Sequence, residues 1–146
     1  WRVPSPWPPL PGNTWPPALK LLPSAGGVAF ASALEIDLLG ILRATRLAAT
    51  RALSSLNPEY LLTDYLIFPG LELPQTALVK GDQRSLSVAA ASVLAKTSRD
   101  AWMRKLDERL PGYGFSRHKG YGTHLHRIAI DQFGLSSEHR LSFSIR

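Results

Sequence analysis

The sequence predicts an α/β domain, because short β-rich runs alternate with longer helical patterns along the chain. The two β-rich runs are EYLLTDYLIF, which contains Asp64, and QTALVKGD, which ends at Gly81-Asp82. An amphipathic pattern precedes these runs, and a long pattern rich in small residues follows them. With 146 residues and a hydrophobic fraction of 45%, the chain is long enough for one modest domain.

The first part of the chain differs in composition from the rest. Residues 1–27 hold most of the twelve prolines and four tryptophans. Proline removes backbone donors and blocks helix formation, so we expect an irregular or polyproline-like segment there and assign it no function. Residues 28–146 form the predicted domain. Because the sequence begins with Trp1 rather than Met, we expect a fragment, a processed product or an unusual gene model.

The helices can be placed from periodicity and end signals. Apolar residues at helical spacing predict an amphipathic helix with Ser32 as N-cap and an end at Asn57-Pro58. After the two strands, SLSVAAASVLAKTSRDAWMRKLDERL predicts a long helix that Pro111-Gly112 stops. Its small residues allow close packing against a sheet or another helix. HLHRIAIDQFG predicts a short helix that ends at Gly134.

Charge and composition narrow the class of partner. Lys and Arg outnumber Asp and Glu by 17 to 11, which favours nucleic acid first and an anionic membrane second, although a basic protein can lack either partner. The absence of cysteine excludes disulfides, thiolate zinc sites and a cysteine nucleophile. No apolar run approaches the roughly 20 residues of a membrane span, and the proline-rich start does not match a signal peptide. We therefore expect a cytoplasmic protein without a membrane partner.

Two carboxylates and one lysine are candidate chemical groups, each with a simpler alternative. Asp64 lies in an apolar run, where burial of its charge would be costly; it could equally reach solvent from a strand end. Asp100 has Lys96 four residues before it, so it is either a surface ion pair or a metal ligand whose cationic neighbours hold phosphate. Lys80 precedes a glycine, which fits either a phosphate contact or an ordinary turn.

The stretch PGYGFSRHKGYGTHLH, from Pro111 to His126, interleaves glycines, aromatic rings and cations. This mixture suits a loop lying against a nucleic-acid backbone better than it suits a hydrophobic core. His124 and His126 are two positions apart and do not share a helical face, so we expect no zinc site there.

The ordered series GDQRSLSVAAASVLAKTSRD, PGYGFSRHKGYGTHLH and HRLSF strongly resembles ribonuclease HII, the type 2 ribonuclease H, over about residues 28–143. The resemblance implies a ribonuclease-H-like fold, with helices around a mixed sheet. It also implies cleavage of the RNA strand of RNA–DNA hybrids and nicking 5′ of ribonucleotides embedded in DNA. The family uses four carboxylates and two divalent cations, Mg²⁺ or Mn²⁺, and oxygen ligands suit both ions. We expect a complete member to be monomeric.

The resemblance also implies roles for individual residues. Asp64 is similar to the family's third carboxylate and Asp100 to its fourth, so both are expected to bind metal and to act in catalysis. Tyr121 is similar to the tyrosine that packs on the sugar at the RNA–DNA junction, with Gly120 and Gly122 allowing the backbone to approach the strand. The phosphate-side candidates are Lys80, Lys96, Arg99, His118, Lys119 and Arg140.

The sequence lacks the family's first-strand motif, Asp-Glu-Ala-Gly-Arg-Gly, which supplies the first two carboxylates. Asp107-Glu108 lies late in a helix and cannot replace it. We therefore expect weakened metal binding, at most a two-stranded sheet with an unpaired edge, and marginal stability. Three interpretations follow: a ribonuclease HII with its N-terminal part absent or garbled, a non-catalytic nucleic-acid-binding remnant, and a half-domain completed by a partner chain.

Overall fold

The computed structural model describes residues 26–143 and contains six helices and two strands within that range. The predicted irregular segment over 1–27 lies almost entirely outside the described residues. The α/β class is confirmed. In chain order the elements are α1 (Ala33–Leu39), α2 (Ile41–Leu53), β1 (Leu61–Asp64), β2 (Gln75–Leu78), α3 (Gly81–Arg84), α4 (Leu86–Arg109), α5 (Phe115–His118) and α6 (His124–Phe133).

The single amphipathic helix predicted after Ser32 is wrong, because the chain breaks into α1 and α2 at Gly40. Gly40 has φ 76° and ψ 157°, a conformation that glycine adopts readily and that interrupts the helix. The predicted N-cap is confirmed: Ser32 Oγ accepts from the Glu35 N–H at 3.2 Å, and a Glu35 carboxylate oxygen accepts from the Ser32 N–H at 2.8 Å. Arg51 of α2 then donates to Glu35 at 2.5 Å and ties the two helices together. This bond lowers the pKa of Glu35 to about 2.

Strands β1 and β2 pair in parallel, with Leu61 opposite Gln75 and Asp64 opposite Leu78. They form the two-stranded sheet expected for the described residues. Strand β1 is shorter than the apolar run that predicted it, because Tyr65 takes a positive φ of 64° and leaves the extended conformation. Asp64 is therefore the last residue of its strand rather than the middle of a longer one.

Helices α4 and α6 match their predictions, and two one-turn helices were not predicted. Helix α4 runs unbroken over the small-residue segment and ends before Pro111. Thr123 Oγ1 caps α6 by accepting from the His126 N–H at 3.3 Å, and Gly134 follows its last residue. These short helices, α3 and α5, each span four residues. They lie in glycine-containing segments for which the sequence predicted only turns or loops.

A cluster of buried residues lies where the second half of α4 meets the glycine-rich segment and α6. Its members are Leu106, Tyr113, Phe115 and Ala129. Near the sheet, in contrast, large apolar side chains stay accessible: Leu62 is 42% exposed, Val79 60% and Leu86 87%. Among the described residues, no helix is long and apolar enough to cross a membrane.

Candidate functional site

Asp64 lies at the carboxyl edge of the sheet and is held by the turn that follows β2. The Gly81 N–H donates to Asp64 Oδ1 at 2.9 Å, while the Asp64 side chain remains exposed. The approach is close because Gly81 has no side chain: an added Cβ would lie 3.3 Å from Asp64 Cα and 3.2 Å from Val88 Cγ1. The glycine after β2 therefore packs against β1 and α4 of its own domain.

Asp82 is the carboxylate next in sequence to the glycine that binds Asp64. It directly follows Gly81, so its Cα is one peptide unit, about 3.8 Å, from the Cα of the residue that binds Asp64. The carboxyl ends of adjacent parallel strands meet at one sheet edge, which is where ligands commonly bind in α/β proteins. The sequence carried a signal for this pair, since each β-rich run contains one aspartate.

Asp100 lies in a different environment. It follows Val88 along α4 by more than three turns, or roughly 18 Å along the helix axis. Lys96 Nζ donates to Asp100 Oδ1 at 2.6 Å, and this hydrogen bond lowers the pKa of Asp100, with smaller contributions from the charges of Lys119 and Arg99. The structure therefore groups Asp100 with cations, away from the end of α4 that packs on Asp64. The metal and catalytic roles of Asp64 and Asp100 stay predictions.

Tyr121 presents its ring to solvent, with 59% of the residue exposed. Arg99 reaches across from α4: its guanidinium carbon is 5.3 Å from the centre of the Tyr121 ring, and its Nη2 donates to the Lys119 carbonyl at 2.9 Å. Gly120 has φ 79°, and a Cβ there would approach Met103 Cε at 3.3 Å. The predicted loop residues are thus assembled around one exposed aromatic face beside Arg99, an arrangement suited to a flat polyanionic ligand.

The remaining cationic candidates divide between two places. Lys80 is exposed beside Asp64 and takes a left-handed conformation, with φ 54°. Lys119, with φ 53°, donates to the Ser116 carbonyl within the loop. Arg140 lies with Arg99, Gly120 and Gly122 along a cleft of about 330 Å³. Burial and the neighbouring Arg99 charge lower the pKa of Arg140, although a guanidinium stays protonated in proteins.

His118 is buried, with only 7% of the residue exposed. Its Nδ1 accepts from the Gly120 N–H at 3.2 Å, so its Nε2 carries the proton and donates to the Tyr113 carbonyl at 2.8 Å. In this arrangement His118 shapes the loop from inside, and a phosphate contact by its side chain stays a prediction. Sequence patterns did not single out His139, whose role emerges only from its contacts with the buried face of the loop.

The described residues contain no group of three or more His, Cys, Asp or Glu side chains that could hold a metal ion. Asp64 and Asp82 nevertheless offer two oxygen donors at one sheet edge, and carboxylate is the ligand type that Mg²⁺ and Mn²⁺ take. The pair thus fits part of a divalent-cation site.

Comparison with known proteins places these features in a family. The family model for ribonuclease HII matches residues 24–145. The chain is 51% identical over 120 residues to a ribonuclease HII from Geobacillus kaustophilus, covering 81% of this chain and 46% of that protein. It is 52% identical over 119 residues to a ribonuclease HII from Chloroflexus aurantiacus, covering 80% and 56%. For a ribonuclease HII from Chromohalobacter salexigens, the identity is 49% over 129 residues, covering 87% and 64%.

The chain spans about half the length of the first of these curated relatives. The match nevertheless extends over all the described residues, including the sheet, α4 and the loop that carries Tyr121 between α5 and α6, residues 119–123, here called the Tyr121 loop. The chain therefore belongs to the ribonuclease HII family.

Proposed function

We propose that this chain belongs to an endoribonuclease that cleaves the RNA strand of RNA–DNA hybrids and nicks DNA 5′ of embedded ribonucleotides. The observation that carries the proposal is the exposed Tyr121 ring beside Arg99. An aromatic face supported by a guanidinium can pack against a sugar, and a hydroxyl at its tip can meet a ribose 2′-OH. Removal of ribonucleotides from DNA in the cytoplasm is the corresponding cellular role.

The hydrolytic part of the proposal depends on the sheet edge. Asp64 and Asp82 would hold a divalent cation, with Asp64 oriented by the Gly81 N–H. The chemistry that two such ions supply is activation of the attacking water and stabilisation of the leaving oxygen. Val88 marks the end of α4 that packs beside Asp64, and Asp100 lies roughly 18 Å further along this helix. Paired metals lie only about 4 Å apart, so Asp82 is favoured over Asp100 as the partner of Asp64. Asp100 instead orders Lys96 beside Arg99.

The cationic side chains form two sets, which would contact different parts of the nucleic acid. Arg99 and Lys119 support the Tyr121 loop, and Arg140 lines the adjoining cleft, so this set would contact the strand around the ribonucleotide. Lys80, which stands beside Asp64 and Asp82, would meet phosphate close to the scissile bond. Such contacts would make affinity depend on salt concentration.

A second candidate function is nucleic-acid binding without hydrolysis. It is favoured by the lack of a three-residue metal-binding group in the part of the chain that the structure describes. A third candidate, a half-domain completed by a partner chain, draws support from the exposed Leu62, Val79 and Leu86 near the sheet.

Fluorescence anisotropy with three duplexes tests the binding step shared by the first two candidates. The duplexes are an RNA–DNA hybrid, DNA with one ribonucleotide, and DNA of the same sequence. We expect tighter binding of the two ribose-containing duplexes and a loss of that preference in Arg99→Gln. Arg43→Gln is the matched control, because Arg43 is exposed on α2 and has no role in the proposal. Equal affinity for all three duplexes would contradict ribose recognition.

A further inference from the structure

Three histidines lie buried beneath the Tyr121 loop: His118, His126 and His139 are 7%, 2% and 6% exposed. The His118 and His126 rings stack, with centres 4.2 Å apart and planes within 14°. Phe115 packs edge-on against both of these rings, at 69° and 73°. Burial in such an aromatic cluster makes every ring nitrogen costly to leave without a hydrogen-bond partner.

The contacts of His126 and His139 agree on one arrangement of protons. His126 Nδ1 is 2.9 Å from the Tyr121 carbonyl, which can only accept, so Nδ1 carries the proton. His126 Nε2 must then accept from His139 Nε2, 3.0 Å away. His139 Nδ1 is left as an acceptor, and the Ser136 N–H donates to it at 3.0 Å. Both imidazoles are therefore neutral in a directional chain from Ser136 to Tyr121.

His118 holds the backbone on the N-terminal side of Tyr121. Its Nδ1 accepts from the Gly120 N–H, while His126 binds the Tyr121 carbonyl, so two stacked imidazoles hold the backbone immediately before and at Tyr121. The chain of hydrogen bonds begins at Ser136, in the segment that follows α6. Asp37 fixes the end of this segment, because its carboxylate accepts from the Leu141 and Ser142 N–H groups at 2.8 and 2.9 Å. The loop and this segment are thus connected through buried side chains.

We propose that His126 and His139 are positioning residues that set the orientation of Tyr121 for ribose discrimination. The inference rests on the proposed function, because it assigns the task of the Tyr121 ring. Neither imidazole touches the substrate in this account. His126 donates to the Tyr121 carbonyl, which also accepts from the Thr123 N–H at 2.8 Å, so a side chain and the backbone together hold this carbonyl. His139 fixes the tautomer of His126 by donating to its Nε2.

Long-range ¹H–¹⁵N NMR spectra of the histidine side chains in this chain test the arrangement without any substrate. At pH 7.5 we expect the Nδ1–H tautomer for His126 and the Nε2–H tautomer for His118 and His139. A Nε2–H tautomer or a charged ring at His126 would overturn the inference whatever the chain binds. This measurement needs no variant, so it decides the question even if the substitutions below fail to fold.

Two conservative variants separate positioning from a merely structural role. In His126→Asn, the side-chain amide N–H can replace Nδ1 and still donate to the Tyr121 carbonyl; in His126→Gln the amide reaches only the Nε2 position. Both lose the imidazole ring. The measured quantity is the ratio of affinities for single-ribonucleotide DNA and for DNA of the same sequence. We expect this ratio to stay within about twofold of wild type in the Asn variant. In the Gln variant it should fall roughly two- to tenfold, which corresponds to the loss of one net hydrogen bond.

His124→Gln is the control, since His124 is exposed on the same helix. Folded Asn and Gln variants that both keep the wild-type preference would overturn the positioning role. The unmodified chain could show the predicted tautomers and still bind DNA equally well with and without the ribonucleotide. In that case the proposed function fails, and the task assigned to Tyr121 fails with it. If the unmodified chain discriminates and His126 has the other tautomer, only the positioning inference fails.

Discussion

The Gly81 N–H donates a 2.9 Å hydrogen bond to Asp64 Oδ1, across the carboxyl ends of two parallel strands. This bond joins the two segments that carry Asp64 and Asp82. The divalent-cation site that we propose at this sheet edge depends on that contact.

Asp82→Asn tests this pairing. We expect the variant to weaken Mn²⁺ binding tenfold or more, because one of two anionic oxygen ligands is lost. Asp100→Asn should change binding less than twofold, since its carboxylate is paired with Lys96. Paramagnetic broadening of the Gly81 amide resonance measures the affinity. Loss of binding in Asp100→Asn, with Asp82→Asn unchanged, would restore Asp100 as the partner of Asp64.

Gly81→Ala tests the packing behind the site. An added Cβ would lie 3.2 Å from Val88 Cγ1 and 3.3 Å from Asp64 Cα. Overpacking of this kind costs about 1–3 kcal/mol, so the free energy of unfolding should fall by that amount in urea denaturation. Gly26→Ala is the control, because its Cβ would meet only Leu94 at an ordinary 3.7 Å. An equally stable Gly81→Ala protein would show that the three segments are not tightly packed there.

Tyr121→Ala tests ribose recognition. The variant should lose preference for single-ribonucleotide DNA by on the order of tenfold, about 1.4 kcal/mol, and lose less general affinity. The reason is that the ring packs on one sugar while the cations contact every duplex. Competition binding measures both quantities, with Tyr60→Ala as control, since Tyr60 is exposed before β1 and its hydroxyl pairs with Thr76. Equal losses of affinity for single-ribonucleotide DNA and for DNA of the same sequence would contradict the assignment.

The buried histidines predict how stability depends on pH. Burial lowers the pKa values of His126 and His139 below 6.5. Electrostatic interaction with His118 lowers both further, and interaction with His126 also lowers the pKa of His139. The unfolded chain therefore binds protons first as the pH falls. The contribution to stability is complete above pH 6.5 and is lost progressively below it.

Urea denaturation from pH 8 to pH 5 measures this dependence. The groups around the pair are His118, Arg99, Glu138 and Arg140, and the two arginines stay charged over this range. His126→Gln should flatten the decline, whereas His124→Gln should retain it. Stability that is constant or rises as the pH falls to 5 would contradict neutral, buried imidazoles.

The sequence predicted the elements that depend on local signals. Ser32 with Glu35 marked the start of α1, and Pro111-Gly112 marked the end of α4, because caps and helix stops act over a few residues. The break at Gly40 was missed because its neighbours continue the apolar period on both sides, although an isolated glycine inside a helical pattern is itself a warning.

The site was less predictable, because it depends on contacts between distant segments. Asp100 has the cationic neighbours expected of a functional residue, but its distance from Asp64 follows only from where α4 packs on β1. The chain of bonds from Ser136 through His139 to His126 joins residues whose order in the sequence has no recognisable spacing. The exposed Tyr121 loop was predictable because its glycines, ring and cations are consecutive.

Cleavage of a labelled DNA duplex with one embedded ribonucleotide measures the proposed nuclease activity itself. This chain would be assayed in Mg²⁺ and then Mn²⁺, beside a version extended with the Asp-Glu-Ala-Gly-Arg-Gly strand region that the sequence lacks. We expect cleavage 5′ of the ribonucleotide by the extended version only, because two carboxylates supply half of the ligand set. Cleavage by the chain as it stands would contradict the requirement for four carboxylates, and no cleavage by either version would contradict the proposed activity.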